Sequence, residues 1–216
     1  MKVVAINGSP RKGGNTEALI NRVCDRLNTH GIETDVIKIG GELLSGCTAC
    51  GACFKTKNNK CVIFNDPMNE WYEKMLEADG ILLGSPTYFS DVTMEMKALI
   101  DRVGYLAIAN GQALANKVGA AVTATRRAGA QHTLDTMLHL FSILQMPIAT
   151  SSYWNIGYGA VRGESEHDTE GMQTMDNLAE NMAWLMKSIE AGKGSVPLPH
   201  IDRSQQMNFI RHEAES

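Results

Sequence analysis

Apolar positions along the chain follow two rhythms. β-Branched or glycine-bounded apolar runs at 3–6, 34–39, 80–84 and 118–123 predict strands, and a further short strand is expected after Pro147. Between them apolar residues recur at helical spacing. Ala18, Leu19, Val23 and Leu27 make one face of a helix opened by Asn15 or Thr16 and closed at His30-Gly31. Further helices are expected over 68–78, 94–103, 130–144 and 171–190. The stretch 40–67 has no period; Gly, Ser, Cys, Lys and Asn dominate it, as in a long functional loop.

Strands alternating with helices call for a parallel sheet with right-handed crossovers and helices on both faces. Five strands in 216 residues predict an α/β fold with an open, doubly wound sheet, since an eight-unit barrel needs a longer chain. One domain is expected over 1–190, carrying the cysteine-rich loop 40–67. A tail over 191–216 follows, either a frayed terminus or an arm to another subunit. In such sheets ligands gather beyond the carboxyl ends of the strands, which brings the loops 8–16, 85–89 and 123–130 together.

Lys plus Arg number 20 and Asp plus Glu 24, a net charge of −4 that argues against a nucleic-acid or membrane-surface partner. No apolar run approaches the roughly 18 to 20 residues of a membrane span, and the apolar run at 3–6 is too short for a signal core. A cytoplasmic location is therefore expected. There, Cys47, Cys50, Cys53 and Cys61 read as metal or redox chemistry rather than as a disulfide framework, while Cys24 falls on the apolar side of the first helix.

The loop Gly8-Ser9-Pro10-Arg11-Lys12-Gly13-Gly14-Asn15-Thr16 places hydroxyls, glycine amides and a guanidinium at a helix N-terminus, where a phosphate is favoured. It is neither a Walker loop nor a G-x-G-x-x-G fingerprint, so one terminal phosphate suits it better than a dinucleotide pyrophosphate. INGSPRKGGNT, together with GSPTYFSDVTMEMKALIDR after the third strand, resembles the flavodoxin-like NADPH-dependent FMN reductases. With the cysteine loop between them, the motifs most resemble the iron–sulfur flavoprotein branch. The resemblance implies strand order 2-1-3-4-5, bound FMN, and a homodimer or homotetramer. It also implies that Ser9, Arg11, Asn15 and Thr16 hold the phosphate.

Pro86, Thr87, Tyr88 and Phe89 are expected to lay backbone amides and an aromatic wall against the flavin; a place for the two aromatics in the core is the competing reading. Arg126 and Gly129 border the flavin by resemblance. Arg126 or Arg127 would neutralise donor phosphates or an acidic substrate, or the two form a solvated pair. The spacing C-x2-C-x2-C-x7-C resembles the compact motif of iron–sulfur flavoproteins and suits a [4Fe–4S] cluster, with zinc and free redox-active thiols as the other readings.

The expected function is an FMN-dependent oxidoreductase with no catalytic side chain, since the flavin carries the chemistry. Electrons would pass from NAD(P)H or a reduced carrier such as ferredoxin, through FMN, to a quinone, flavin, oxygen species or cluster. The alternative is a non-turnover electron carrier or redox-sensing flavoprotein using the cysteine loop. Without a separate dinucleotide domain, NAD(P)H must share the acceptor's pocket, which implies ping-pong kinetics.

Overall fold

The computed structural model describes residues 1–205, and residues 206–216 of the expected tail lie outside the described residues. The strands are β1 (Lys2–Asn7), β2 (Glu33–Lys38), β3 (Gly80–Pro86), β4 (Val118–Thr125) and β5 (Ile156–Tyr158). The helices are α1 (Asn15–Thr29), α2 (Ala52–Thr56), α3 (Met68–Glu77), α4 (Met94–Ala109), α5 (Ala130–Ile143) and α6 (Thr169–Gly192), with a 3-10 turn at Glu164–His167. All strands run parallel in the order β2-β1-β3-β4-β5. The fold is the flavodoxin-like doubly wound sheet.

Strand parity sorts the core into two layers. Val4, Ile6, Ile81, Leu83 and Ala121 face α3, α4 and α5, where Met75, Leu99, Val103 and Phe141 are fully buried. Val3, Ala5, Leu82, Ala120 and Val122 face α1 and α6, against Leu19, Ile20, Val23, Leu178 and Met182. β1, β3 and β4 are buried on both faces, which is why they read as unbroken apolar runs. On the outside of the second layer, Arg22 grips Asp176 with two bonds (2.7 and 2.6 Å) and pins α1 to α6.

The fifth strand departs from expectation. After Pro147 the chain makes only a single bridge, Ile148 with Gly119, before leaving the sheet; it rejoins β4 as Ile156–Tyr158. Residues 151–155 therefore precede the fifth strand rather than follow it. The gap is patched by Asn155, whose Nδ2 donates to Ala121 O (2.9 Å) where a strand amide would otherwise stand. Among the described residues no helix is long and apolar enough to cross a membrane.

Candidate functional site

The loop between β1 and α1 is strapped down from three sides. Gly8 N–H donates to Gly84 O on β3 (2.8 Å), and Thr93, the N-cap of α4, donates its hydroxyl to Gly8 O (3.0 Å). From the β2 side Gly40 presses on the loop. A Cβ there would stand 2.1 Å from Ser9 C and 2.5 Å from Pro10 N. Ser9 is buried, with its Oγ accepting from Arg11 N–H (3.3 Å). Gly14 opens α1 without a side-chain cap, and beside it Glu17 Oε2 of the first turn accepts from Gly13 N–H (3.0 Å).

Thr16 is buried and Arg11 exposed at this loop. Asn15 is engaged elsewhere: its Oδ1 accepts from Ser165 N–H (3.2 Å), tying α1 to the segment after β5. That segment adds a residue the sequence reading missed. Arg162 lies over the loop, its Cδ 3.7 Å from where a Cβ on Gly13 would be. The signal was an arginine between Gly159 and Gly163, hidden because β5 was placed too early.

The loop after β3 begins with Thr87 N–H donating to Ala124 O (2.9 Å). Tyr88 and Asp91 then close a tight turn by two backbone bonds (2.8 and 3.0 Å). Its central residues, Phe89 (φ 49) and Ser90 (φ 64), both occupy the left-handed region, which is strained for a bulky side chain. Phe89 is fully exposed and Tyr88 about 42% exposed, so neither is a core aromatic. Pro86 is half-buried at the strand end.

The loop after β4 packs directly on this turn. Gly129 has φ 85, and a Cβ on it would meet Ser90 Oγ at 2.6 Å, so only glycine fits. Arg126 and Arg127 are exposed; Arg127 lines a cavity of about 280 Å³ with Tyr153, Trp154 and Tyr158. His132 lies 3.6 Å from Asp91 because α5 starts beside the turn. Burial works to raise the Asp91 carboxyl, but bonds from Thr136 and Val92 N–H, with His132 and Lys97 nearby, hold it below its ordinary value.

The aperiodic stretch 40–67, expected as a loop throughout, carries the short helix α2 between Cys50 and Cys61. Cys47, Cys50, Cys53 and Cys61 all line one cavity of about 110 Å³, together with Arg102 and Tyr105 of α4. Asn69 mimics a strand partner for Cys61, accepting from its N–H (2.8 Å) and donating to its carbonyl (2.9 Å). Arg102, fully buried, binds Asp66 Oδ2 (2.5 Å), Ser45 O (3.2 Å) and Ile63 O (3.1 Å). Asp66 accepts from Met68 N–H (3.3 Å) with one oxygen, and its second oxygen belongs to Arg102. The sequence signal for Arg102 was a cation amid Leu99, Ile100, Val103 and Leu106.

The thiols differ in environment. Ala52 N–H, the Thr48 hydroxyl and Lys55 hold the exposed Cys50 below the ordinary thiol range. Burial raises Cys53, and the neighbouring Cys50 and Cys47 add to it. Cys24 sits in the core, its thiol pushed up to about 12 by burial. Among the described residues no three His, Cys, Asp or Glu side chains are spaced to hold a single metal ion.

Residues 1–161 match the family described as NADPH-dependent FMN reductase. The chain belongs to that family. This FMN reductase-family chain is 38% identical over 197 residues to an iron–sulfur flavoprotein of Methanocaldococcus jannaschii, covering 88% of this chain and 100% of the relative. It is 36% identical over 195 residues to an iron–sulfur flavoprotein of Methanosarcina thermophila, covering 89% and 99%. Among solved structures it resembles RosB with a bound 8-demethyl-8-formylriboflavin-5′-phosphate intermediate, at TM-score 0.72 and 17% identity over 99% of this chain and 100% of that one. A flavodoxin from the domain Archaea matches at TM-score 0.55 and 16% identity over 87% and 99%. At such identities these two structures speak to the fold of the family.

Proposed function

We propose that this FMN reductase-family chain is an oxidoreductase that binds FMN across the three carboxyl-end loops and holds an iron–sulfur cluster in its cysteine loop. The observation that carries the reading is the convergence of all four cysteines on one cavity, beside a domain whose phosphate loop lacks a side-chain helix cap. The names of its relatives support it. The residues suit both groups. Uncapped amides of α1, Ser9, Arg11 and Arg162 present donors to a phosphate, and the 85–89 and 126–129 loops present backbone and aromatic surface to a flavin ring. A four-iron cluster takes one thiolate per iron, and the cavity walled by Cys47, Cys50, Cys53 and Cys61 provides a space for such a body.

Bound FMN would supply hydride acceptance and single-electron release. The chain's own residues position it: Thr93 and Gly40 fix the phosphate loop, and Ser90 against Gly129 fixes the two ring loops to each other. Arg102, on the wall of the cysteine cavity, lies nine residues beyond Thr93 on α4, about 13 Å along the helix axis. NAD(P)H or a reduced carrier is the donor in this reading, and a quinone, free flavin or oxygen species the acceptor.

Anaerobically reconstituted protein is expected to carry one FMN and about four iron and four sulfide per chain. The iron should be lost in Cys50→Ser. Oxidation of NADH or NADPH with a quinone or free flavin as acceptor should proceed. Iron-free protein with full FMN would refute the cluster, and absence of turnover with either nicotinamide would make the chain a carrier rather than an enzyme.

A further inference from the structure

We infer that the Arg102–Asp66 pair is a charge-setting and positioning device for the group held by the four cysteines, tuning its reduction potential from the cavity wall. This rests on the cluster reading above. Arg102 and Asp66 have side chains only 1% exposed. Burying a guanidinium is expensive unless every N–H finds an acceptor. Nη1 and Nη2 find three oxygens, but Nε is buried with no acceptor among the described residues. Arg102 lines the same cavity as the cysteines. A sulfur-rich anionic group filling that cavity would supply the missing acceptor.

The same side chain spans the cysteine segment. Ser45 lies two residues before Cys47 and Ile63 two residues after Cys61, and Arg102 binds both carbonyls. Asp66 closes the clamp, accepting from Ser45 N–H (3.3 Å) as well as from Arg102. One ion pair therefore sets the shape of the loop and the field inside it.

The charge role predicts shifts of opposite sign. Reduction adds one electron to a group already bound by thiolates, so a nearby cation favours the reduced form and a nearby anion opposes it. Arg102→Gln leaves the Asp66 carboxylate uncompensated and should lower the midpoint. Asp66→Asn leaves the guanidinium uncompensated and should raise it. Arg102→Lys keeps the charge without the Nε donor and should fall between wild type and Arg102→Gln.

The test is an EPR-monitored redox titration of anaerobically reconstituted wild type and variants, with iron and FMN content measured alongside. Each charge-removing substitution should shift the reduction equilibrium at least tenfold, about 59 mV for a one-electron couple. Shifts of the same sign, or unchanged midpoints at full iron loading, would overturn the proposal. If Arg102→Gln fails to fold or to load iron, Asp66→Asn decides alone, since it retains the arginine. A lowered or unchanged midpoint there would also overturn it. Wild-type protein that takes up no iron would instead bring down the cluster reading itself and this inference with it, a result distinct from an unshifted midpoint.

Discussion

Adding one methyl group at Gly40 should damage flavin binding more than it damages the fold. An alanine Cβ there would sit 2.1 Å from Ser9 C, 2.4 Å from Ser9 O and 2.5 Å from Pro10 N. All three are backbone atoms, so no side chain can swing away. Gly40 itself is held by its N–H to Asn7 O (3.2 Å), the same carbonyl that accepts from Ile39 (2.9 Å), which anchors it to the end of β1. Ser9 and Pro10 are therefore the partners that must move. Overpacking of this kind amounts to about 1–3 kcal/mol, and with backbone on both sides the upper part of that range applies. Relieved by displacing the phosphate loop, it becomes about a 30- to 150-fold rise in the FMN dissociation constant. Fluorescence titration of apoprotein with FMN, at fixed salt, measures this, and urea unfolding of the same samples reports stability. Gly104→Ala is the control. Its Cβ would meet only Leu140 Cδ1, at 3.6 Å, inside α4, so the helix should gain about 0.5–1 kcal/mol and FMN affinity should stay put. Wild-type affinity and an unchanged urea midpoint in Gly40→Ala would refute the argument that Gly40 sets the loop's position.

The double substitution Arg11→Ala with Asn15→Ala should weaken FMN binding by about 2–4 kcal/mol, tens to hundreds of fold by equilibrium dialysis, Arg11 by losing its bond to the phosphate and Asn15 by releasing the start of α1 from Ser165. Because Asn15 also holds Ser165, Asn15→Ala alone should increase proteolysis within 159–167, whereas Arg11→Ala should not. Tyr88→Ala should change the flavin absorbance and midpoint more than the melting temperature; the reverse would make the ring structural. Phe89→Asn, placing a residue that tolerates the left-handed backbone at φ 49, should raise stability by about 1 kcal/mol in thermal unfolding of the apoprotein.

What could be read from the sequence follows from how local each signal is. β1, β3 and β4 announced themselves because a strand covered on both faces needs no polar position. The phosphate loop was legible because its donors lie within nine consecutive residues. β5 was misplaced because it holds three residues, one of them glycine and one an exposed tyrosine, while the apolar stretch near Ile148 looked more like a strand. Gly40, Thr93 and Arg162 escaped notice because each reaches the loop from a distant part of the chain. The cysteine spacing marked the chemistry, but not the means of holding it. Asn69 meets Cys61 from eight residues away once α3 has formed, and Arg102 on α4 meets the loop only after the fold has brought its helix alongside.

The detour in front of β5 has a consequence for how copies of this chain behave when crowded. Along the outer side of β4, Gly119 N–H donates to Pro147 O and Gly119 O accepts from Ala149 N–H (both 2.8 Å). Ala121 O is taken by the Asn155 side chain, Thr123 N–H by Asn155 O (3.0 Å), and Thr125 O by Gly159 N–H (2.9 Å). Most of the inner strand's outward groups are therefore taken although the outer strand is broken in the middle. A foreign strand arriving at this rim finds three residues of ladder and then a bulging segment that carries Tyr153 and Trp154 outward. Sheet-to-sheet fibre growth needs a long, flat, continuous template, and this margin supplies none.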